Sequence, residues 1–301
     1  MKKLFGTVVP IVTPFDERDQ VDTDSLRNLT EYVIASGLSC IYPCGTTGEM
    51  CLLTEEERKE VVETVVGQTA GRVPVYAQVG AVTERETLAL ARHAVECGCD
   101  GIGVVTPFYF KLSDRGLVDF YTRVAKSVPE DFPVYLYGIP QNAVNDISVQ
   151  TAREVAERCP NVAGIKYSSP DMTRLQEFMM IREETFSVLV GPDHLFQAVS
   201  AAGGDGVVSG NAMILASHYR EIWKALESQD YIRARKIQRR TNKMNQILCE
   251  KNNISAYKVM LKEKGIIQTS AVRRPLESLT ALEEEELKRS LRELDYERVL
   301  V

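Results

Sequence analysis

In 301 residues the chain has three histidines, one tryptophan and no Cys-x-x-Cys pair, and each shortage removes a class of chemistry. His93, His194 and His218 form no pair at metal-ligand spacing, so a metal enzyme is not expected. The seven cysteines, at 40, 44, 51, 97, 99, 159 and 249, are odd in number and form no disulfide framework, which predicts reduced and mostly buried thiols. Cys44 stands before a glycine-rich turn, but no histidine lies near it in sequence to activate a thiolate, so packing is its expected role. Positive charge is not in excess. Lys and Arg total 36 against 42 Asp and Glu, a formal charge of -6, which argues against a phosphate-backbone footprint. No apolar stretch is long enough to cross a bilayer, and Met1-Lys2-Lys3-Leu4-Phe5-Gly6 opens no signal-peptide core, so a cytoplasmic protein is expected. Nor does any linker rich in Pro, Gly or Ser divide the chain.

What is present is an alternation. Short apolar runs at Gly6–Val12, Cys40–Cys44, Val73–Val79, Gly101–Thr106, Pro133–Tyr137, Val162–Lys166, Ser187–Val190 and Gly206–Ser209 read as strands. Amphipathic intervals between them read as helices, one of them Thr54–Gln68, with a capping box at Thr54 and Glu57 that Thr83 and Glu86 repeat. Near-continuous Val, Ile and Leu, rather than strict alternation, predicts strands covered on both faces, as in a parallel sheet. Eight such units predict a (β/α)8 TIM barrel over residues 1–215. A doubly wound open sheet would carry Gly-x-Gly-x-x-Gly after its first strand, and none is there. Beyond Ser209 only helices follow, at His218–Leu226, Tyr231–Leu248, Ser255–Lys264 and Leu282–Glu293, which gives a C-terminal helical extension over 216–301.

Barrel chemistry collects at the carboxyl ends of the strands. The second ends in Gly45-Thr46-Thr47-Gly48-Glu49, where two hydroxyls and several N–H groups make either a carboxylate-binding nest or a plain tight turn. The fourth gives Thr106-Pro107-Phe108-Tyr109-Phe110, the fifth Tyr137-Gly138-Ile139-Pro140, the seventh Gly191-Pro192-Asp193-His194 and the eighth Ser209-Gly210-Asn211. Lys166 ends the sixth, after Val162-Ala163-Gly164-Ile165. Desolvation there favours the neutral amine, the form that attacks a carbonyl. An amine, phenols and hydroxyls without a metal ligand set suit Schiff-base chemistry on a 2-oxo acid.

These segments, in this order, resemble the family of dihydrodipicolinate synthase and N-acetylneuraminate lyase, the class I pyruvate-dependent aldolases. The resemblance begins at Gly6-Thr7-Val8-Val9-Pro10-Ile11-Val12-Thr13-Pro14-Phe15 and runs to Val272-Arg273-Arg274-Pro275-Leu276. It implies that Lys166 forms the imine with no cofactor and that Tyr137 transfers protons. By the same resemblance Thr46 and Thr47 bind the substrate carboxylate beside Gly45. Tyr109 is then the tyrosine that reaches a neighbouring subunit and completes a relay with Tyr137 and Thr46. The family is usually a homotetramer, a dimer of dimers.

The departures bear on substrate. Where the synthases read Tyr-Asn-Val-Pro-x-Arg-Thr, this chain has Tyr137-Gly138-Ile139-Pro140-Gln141-Asn142-Ala143. Asn142 replaces an arginine that binds a second carboxylate, and a neutral amide makes no bidentate ion pair. Asp193 falls in a segment with which sialic acid lyases hold sugar hydroxyls, and Ser168 where they carry threonine, while His194 replaces their glutamate. The alternative for Asp193 is a helix N-cap. The pocket expected from Asn142, Ser168, Asp193, His194 and Ser209 therefore favours cleavage or dehydration of a 2-oxo-3-deoxy sugar acid, often with pyruvate as product. Condensation of pyruvate with aspartate semialdehyde is the alternative, and a metabolite-binding barrel without catalysis a remote one.

Overall fold

The computed structural model describes residues 3–300. Met1 and Lys2, which head the N-terminal segment read above, and Val301, the last residue of the helical extension, lie outside the described residues. The strands are β1 (Gly6–Pro10), β2 (Cys40–Tyr42), β3 (Tyr76–Gln78), β4 (Gly101–Val105), β5 (Val134–Gly138), β6 (Val162–Tyr167), β7 (Ser187–Val190) and β8 (Gly206–Val208). All eight belong to one sheet. The helices between them are α1 (Thr23–Ala35), α2 (Glu55–Thr69), α3 (Glu84–Glu96), α4 (Asp114–Lys126), α5 (Pro140–Ala143), α6 (Val149–Arg158), α7 (Met172–Met179) and α8 (Phe196–Ala201). Four more follow β8: α9 (Ala216–Glu227), α10 (Tyr231–Cys249), α11 (Asn253–Glu263) and α12 (Ala281–Glu293). This is the (β/α)8 barrel with its C-terminal helices, and each strand forms where the apolar pattern placed one.

The chain forms two compact units. One holds residues 3–5 and 74–208, where β3 to β8 pair in parallel with each chain neighbour. Every residue of β4, β5 and β6 is buried, which is why these strands are apolar on both faces. The helices of this unit supply one apolar stripe each; α4 buries Leu117, Val118, Phe120, Tyr121, Val124 and Ala125 and leaves Asp114, Arg115 and Arg123 exposed. The other unit holds residues 6–73 and 209–300, with β1 paired to β2 in parallel and α9 to α12. Helix α2 starts at the expected capping box, since Thr54 Oγ1 accepts from the Glu57 N–H and the Glu57 carboxylate accepts from the Thr54 N–H. Thr83 caps α3 by accepting from the Glu86 N–H. Among the described residues no helix is long and apolar enough to cross a membrane.

Candidate active site

Strands β5 and β6 are neighbours, and their register sets Tyr137 opposite Lys166. Lys166 is the last residue but one of a fully buried strand and is only 7% exposed. Its Nζ lies 3.8 Å from the centroid of the Tyr137 ring, which is 1% exposed. Amine and phenol therefore share one desolvated space, the juxtaposition that the ends of the two apolar runs suggested. Contact with the electron-rich ring face also helps to hold the amine in place.

Four further expected residues stand at the ends of the same group of strands. Ser168 follows β6; its N–H donates to the Gly138 carbonyl at 2.8 Å and its own carbonyl accepts from Gln141 Nε2 at 2.9 Å. Asn142 sits exposed in the one-turn helix α5, which Pro140 opens. Gly191 follows β7, and a Cβ placed on it would lie 2.0 Å from Ser168 Oγ, so only glycine lets the two turns close together. Asp193, half-buried, and His194, exposed, occupy a 3-10 turn, Asp193–Leu195. Leu195 stands before α8 without a side-chain cap, and the Asp193 carbonyl accepts from the Phe196 N–H.

Tyr109 lies apart from that buried space. Its φ is 76°, its side chain is 79% exposed, and it meets Phe110, 71% exposed, edge to face at 5.1 Å. Buried Asn145 pins this loop, donating to the Pro107 and Phe110 carbonyls at 2.7 and 2.8 Å and accepting from the Leu112 N–H at 2.8 Å. The loop is thus rigidly held while two aromatic rings face solvent.

In the other unit, Gly45 to Glu49 form a tight turn closed by three N–H groups. Gly48 and Met50 donate to the Gly45 carbonyl at 3.0 and 3.3 Å, and Glu49 donates to the Thr46 carbonyl at 3.1 Å. Thr46 and Thr47 remain half-buried. Ser209 is buried; its N–H donates to the Val8 carbonyl and its Oγ accepts from the Ala212 N–H at 3.3 Å, so its hydroxyl serves a local turn. Gly210 packs closely, since a Cβ there would meet the Tyr257 ring at 2.9 Å and Thr47 Oγ1 at 3.3 Å.

Sequence reasoning passed over a buried ion pair behind this turn. Glu49 Oε1 and Lys258 Nζ are 2.5 Å apart with both side chains fully inaccessible. Burial pulls the Lys258 ammonium down to about 8, against the opposing pull of Glu49. The available signal was a lysine inside Ile254-Ser255-Ala256-Tyr257-Lys258-Val259-Met260-Leu261, where every neighbour is buried. The thiols behave as expected: all seven cysteines are unbridged, and burial pushes Cys44 up to about 11, which leaves no thiolate for nucleophilic work.

The model of the dihydrodipicolinate synthetase family matches residues 3–294. A 4-hydroxy-tetrahydrodipicolinate synthase of Aquifex aeolicus is 39% identical over 232 residues, 77% of this chain and 78% of that one. Another, of Chlorobium phaeobacteroides, is 32% identical over 293 residues, 97% and 98% of the two chains. Among solved structures, dihydrodipicolinate synthase from Aquifex aeolicus superposes with a TM-score of 0.92 at 34% identity, covering 97% of this chain and 98% of that one. A catalytic-lysine mutant of the Ruminococcus gnavus sialic acid aldolase superposes at 0.93 with 25% identity, covering 98% and 97%.

Proposed function

The chain belongs to the dihydrodipicolinate synthetase family, and from that premise we propose that Lys166 forms a covalent imine with a 2-oxo acid, pyruvate above all. Membership makes the protein a class I aldolase or lyase, in which the imine takes the place of a cofactor. The observation that supports the assignment is the Lys166 amine 3.8 Å over the buried Tyr137 ring, a nucleophile and an acid–base group in contact. The amine adds to the carbonyl carbon, and the carbinolamine loses water to give the imine. That imine then serves as electron sink while a bond two atoms away is made or broken. In this reading Tyr137 carries the protons, Thr46 and Thr47 hold the carboxylate, and Tyr109 acts from a second copy of the chain in a cytoplasmic homotetramer.

For the second substrate we favour a 2-oxo-3-deoxy sugar acid, cleaved or dehydrated. Asn142 offers an exposed neutral amide, and Ser168 and Asp193 offer hydroxyl and carboxylate partners for a polyol chain. The synthase reading has support at least equal in weight from the relatives, which are named 4-hydroxy-tetrahydrodipicolinate synthase at up to 39% identity. Borohydride reduction with pyruvate, followed by peptide mass spectrometry, tests the chemistry: a reduced adduct on Lys166, absent from Lys166→Ala, is expected. Incubation with aspartate semialdehyde plus pyruvate, and separately with a panel of sugar acids, decides between the substrates. Consumption of the semialdehyde alone would reverse our preference.

A further inference from the structure

We propose that Glu49, Lys258 and Arg273 form a buried positioning device that sets the Thr46-Thr47 turn for a carboxylate, so that the C-terminal part of the chain tunes substrate affinity. This rests on the reading that Thr46 and Thr47 take the carboxylate of the 2-oxo acid. Two left-handed residues bracket the turn, Cys44 at φ 57° and Glu49 at φ 60°, and neither is glycine. Such conformations persist only where the surroundings over-determine them. At Glu49 the surroundings are explicit. One carboxylate oxygen meets Lys258 Nζ at 2.5 Å, and the other accepts from the backbone N–H of Arg273 at 2.8 Å. Lys258 in turn donates to the Ala271 carbonyl at 2.7 Å and lies 4.2 Å from the Phe15 ring centroid. The Arg273 guanidinium lies over the same ring at 4.4 Å and grips both oxygens of Glu57, at 2.7 and 2.8 Å, as well as the Leu52 and Asp19 carbonyls.

The backbone of Glu49 belongs to the turn, because its N–H donates to the Thr46 carbonyl and Thr13 Oγ1 donates to the carbonyl of Gly48 just before it. Holding the Glu49 side chain therefore fixes the direction of the Thr46 and Thr47 groups. A fully desolvated ion pair is a poor way to gain stability, since an apolar pair of similar volume often folds as well. Its retention is explained by geometry: one carboxylate ties α11, the tail and the turn together at defined angles, which an apolar contact would not do.

The test follows from that contrast. The double variant Glu49→Met with Lys258→Met keeps the volume and removes the charges, and Glu49→Gln is the milder arm that folds if the double does not. The pyruvate concentration giving half-maximal borohydride trapping on Lys166 is expected to rise tenfold or more in both, while trapping at saturation stays within about threefold. Leu287→Ala, which cuts a buried α12 side chain, serves as a control that lowers the melting temperature without moving half-saturation. Unmoved half-saturation in the folded Glu49 and Lys258 variants overturns the proposal, as does an equal rise in Leu287→Ala. A wild-type protein that forms no adduct at all defeats the imine reading and this proposal together.

Discussion

At the scale of the residue, desolvation does the selecting. Lys166 and Tyr137 are both buried, and neither meets the other through sequence neighbours: adjacent strands in register bring them together. Tyr137→Phe keeps the ring that contacts Lys166 and removes only the hydroxyl, so imine formation with pyruvate is expected to survive while turnover falls about two to four orders of magnitude. A stopped assay that follows both quantities checks this, and a fall in affinity alone would assign the phenol to binding. Gly191→Ala acts through space rather than chemistry. The added methyl would overlap Ser168 Oγ and also meet the Ser168 Cβ and Cα at 2.7 and 2.8 Å, so the backbone must shift, at a cost of about 1–3 kcal/mol in urea unfolding, with a matching disturbance of whatever Ser168 touches. Lys166 and Tyr137 were legible in the sequence because each ends an apolar run, a purely local signal. Glu49 and Lys258 were not, because their partnership spans 209 residues and no local pattern announces a pairing at that distance.

At the scale of the element, the strands were readable because burial on both faces writes itself as unbroken Val, Ile and Leu, and it is their ends that local chemistry shifts. The third strand, expected from Val73, begins at Tyr76. Pro74 has no N–H to give a neighbour, and the N–H of Val75 is taken by Asp100 Oδ2 at 2.8 Å. The sixth runs one residue longer, to Tyr167, whose backbone pairs with Val190 of β7. At α2 the capping box does two jobs, because the Glu57 carboxylate that accepts from the Thr54 N–H also holds Arg273. That sharing predicts a ranking. Thr54→Ala removes one capping oxygen and should cost about 1 kcal/mol, whereas Glu57→Gln also weakens a bidentate charge-assisted pair and should cost more. Chemical denaturation of the two variants side by side reads the order, and an equal loss would mean that Arg273 draws nothing from Glu57.

At the scale of the whole molecule, chain order and compactness divide the protein differently. The helices after Ser209 look like an appendage in sequence, yet they form one compact unit with residues 6–73, where Lys258 and Arg273 reach Glu49 and Glu57. The same unit contains the group best placed to make global stability depend on pH. His218 in α9 is fully buried, and its Nε2 has no hydrogen-bond partner among the described residues. Burial first, then the nearby charge of Arg240, depresses it to about 4, with a partly opposing contact from the Arg298 backbone. Between an ordinary histidine value near 6.5 and about 4, the unfolded chain binds a proton that the folded chain refuses. Stability is therefore intact above pH 6.5 and declines as the pH falls toward 4, by up to about 3 kcal/mol from this group alone. Carboxylates titrate mainly below that window, so the interval from pH 6.5 to 5 isolates the imidazole. Urea unfolding of wild type and His218→Gln across this interval is expected to give a falling curve for the first and a nearly flat one for the second. Parallel curves would mean that His218 takes up its proton as readily in the folded protein as in the unfolded chain, and that the acid sensitivity of this fold originates elsewhere.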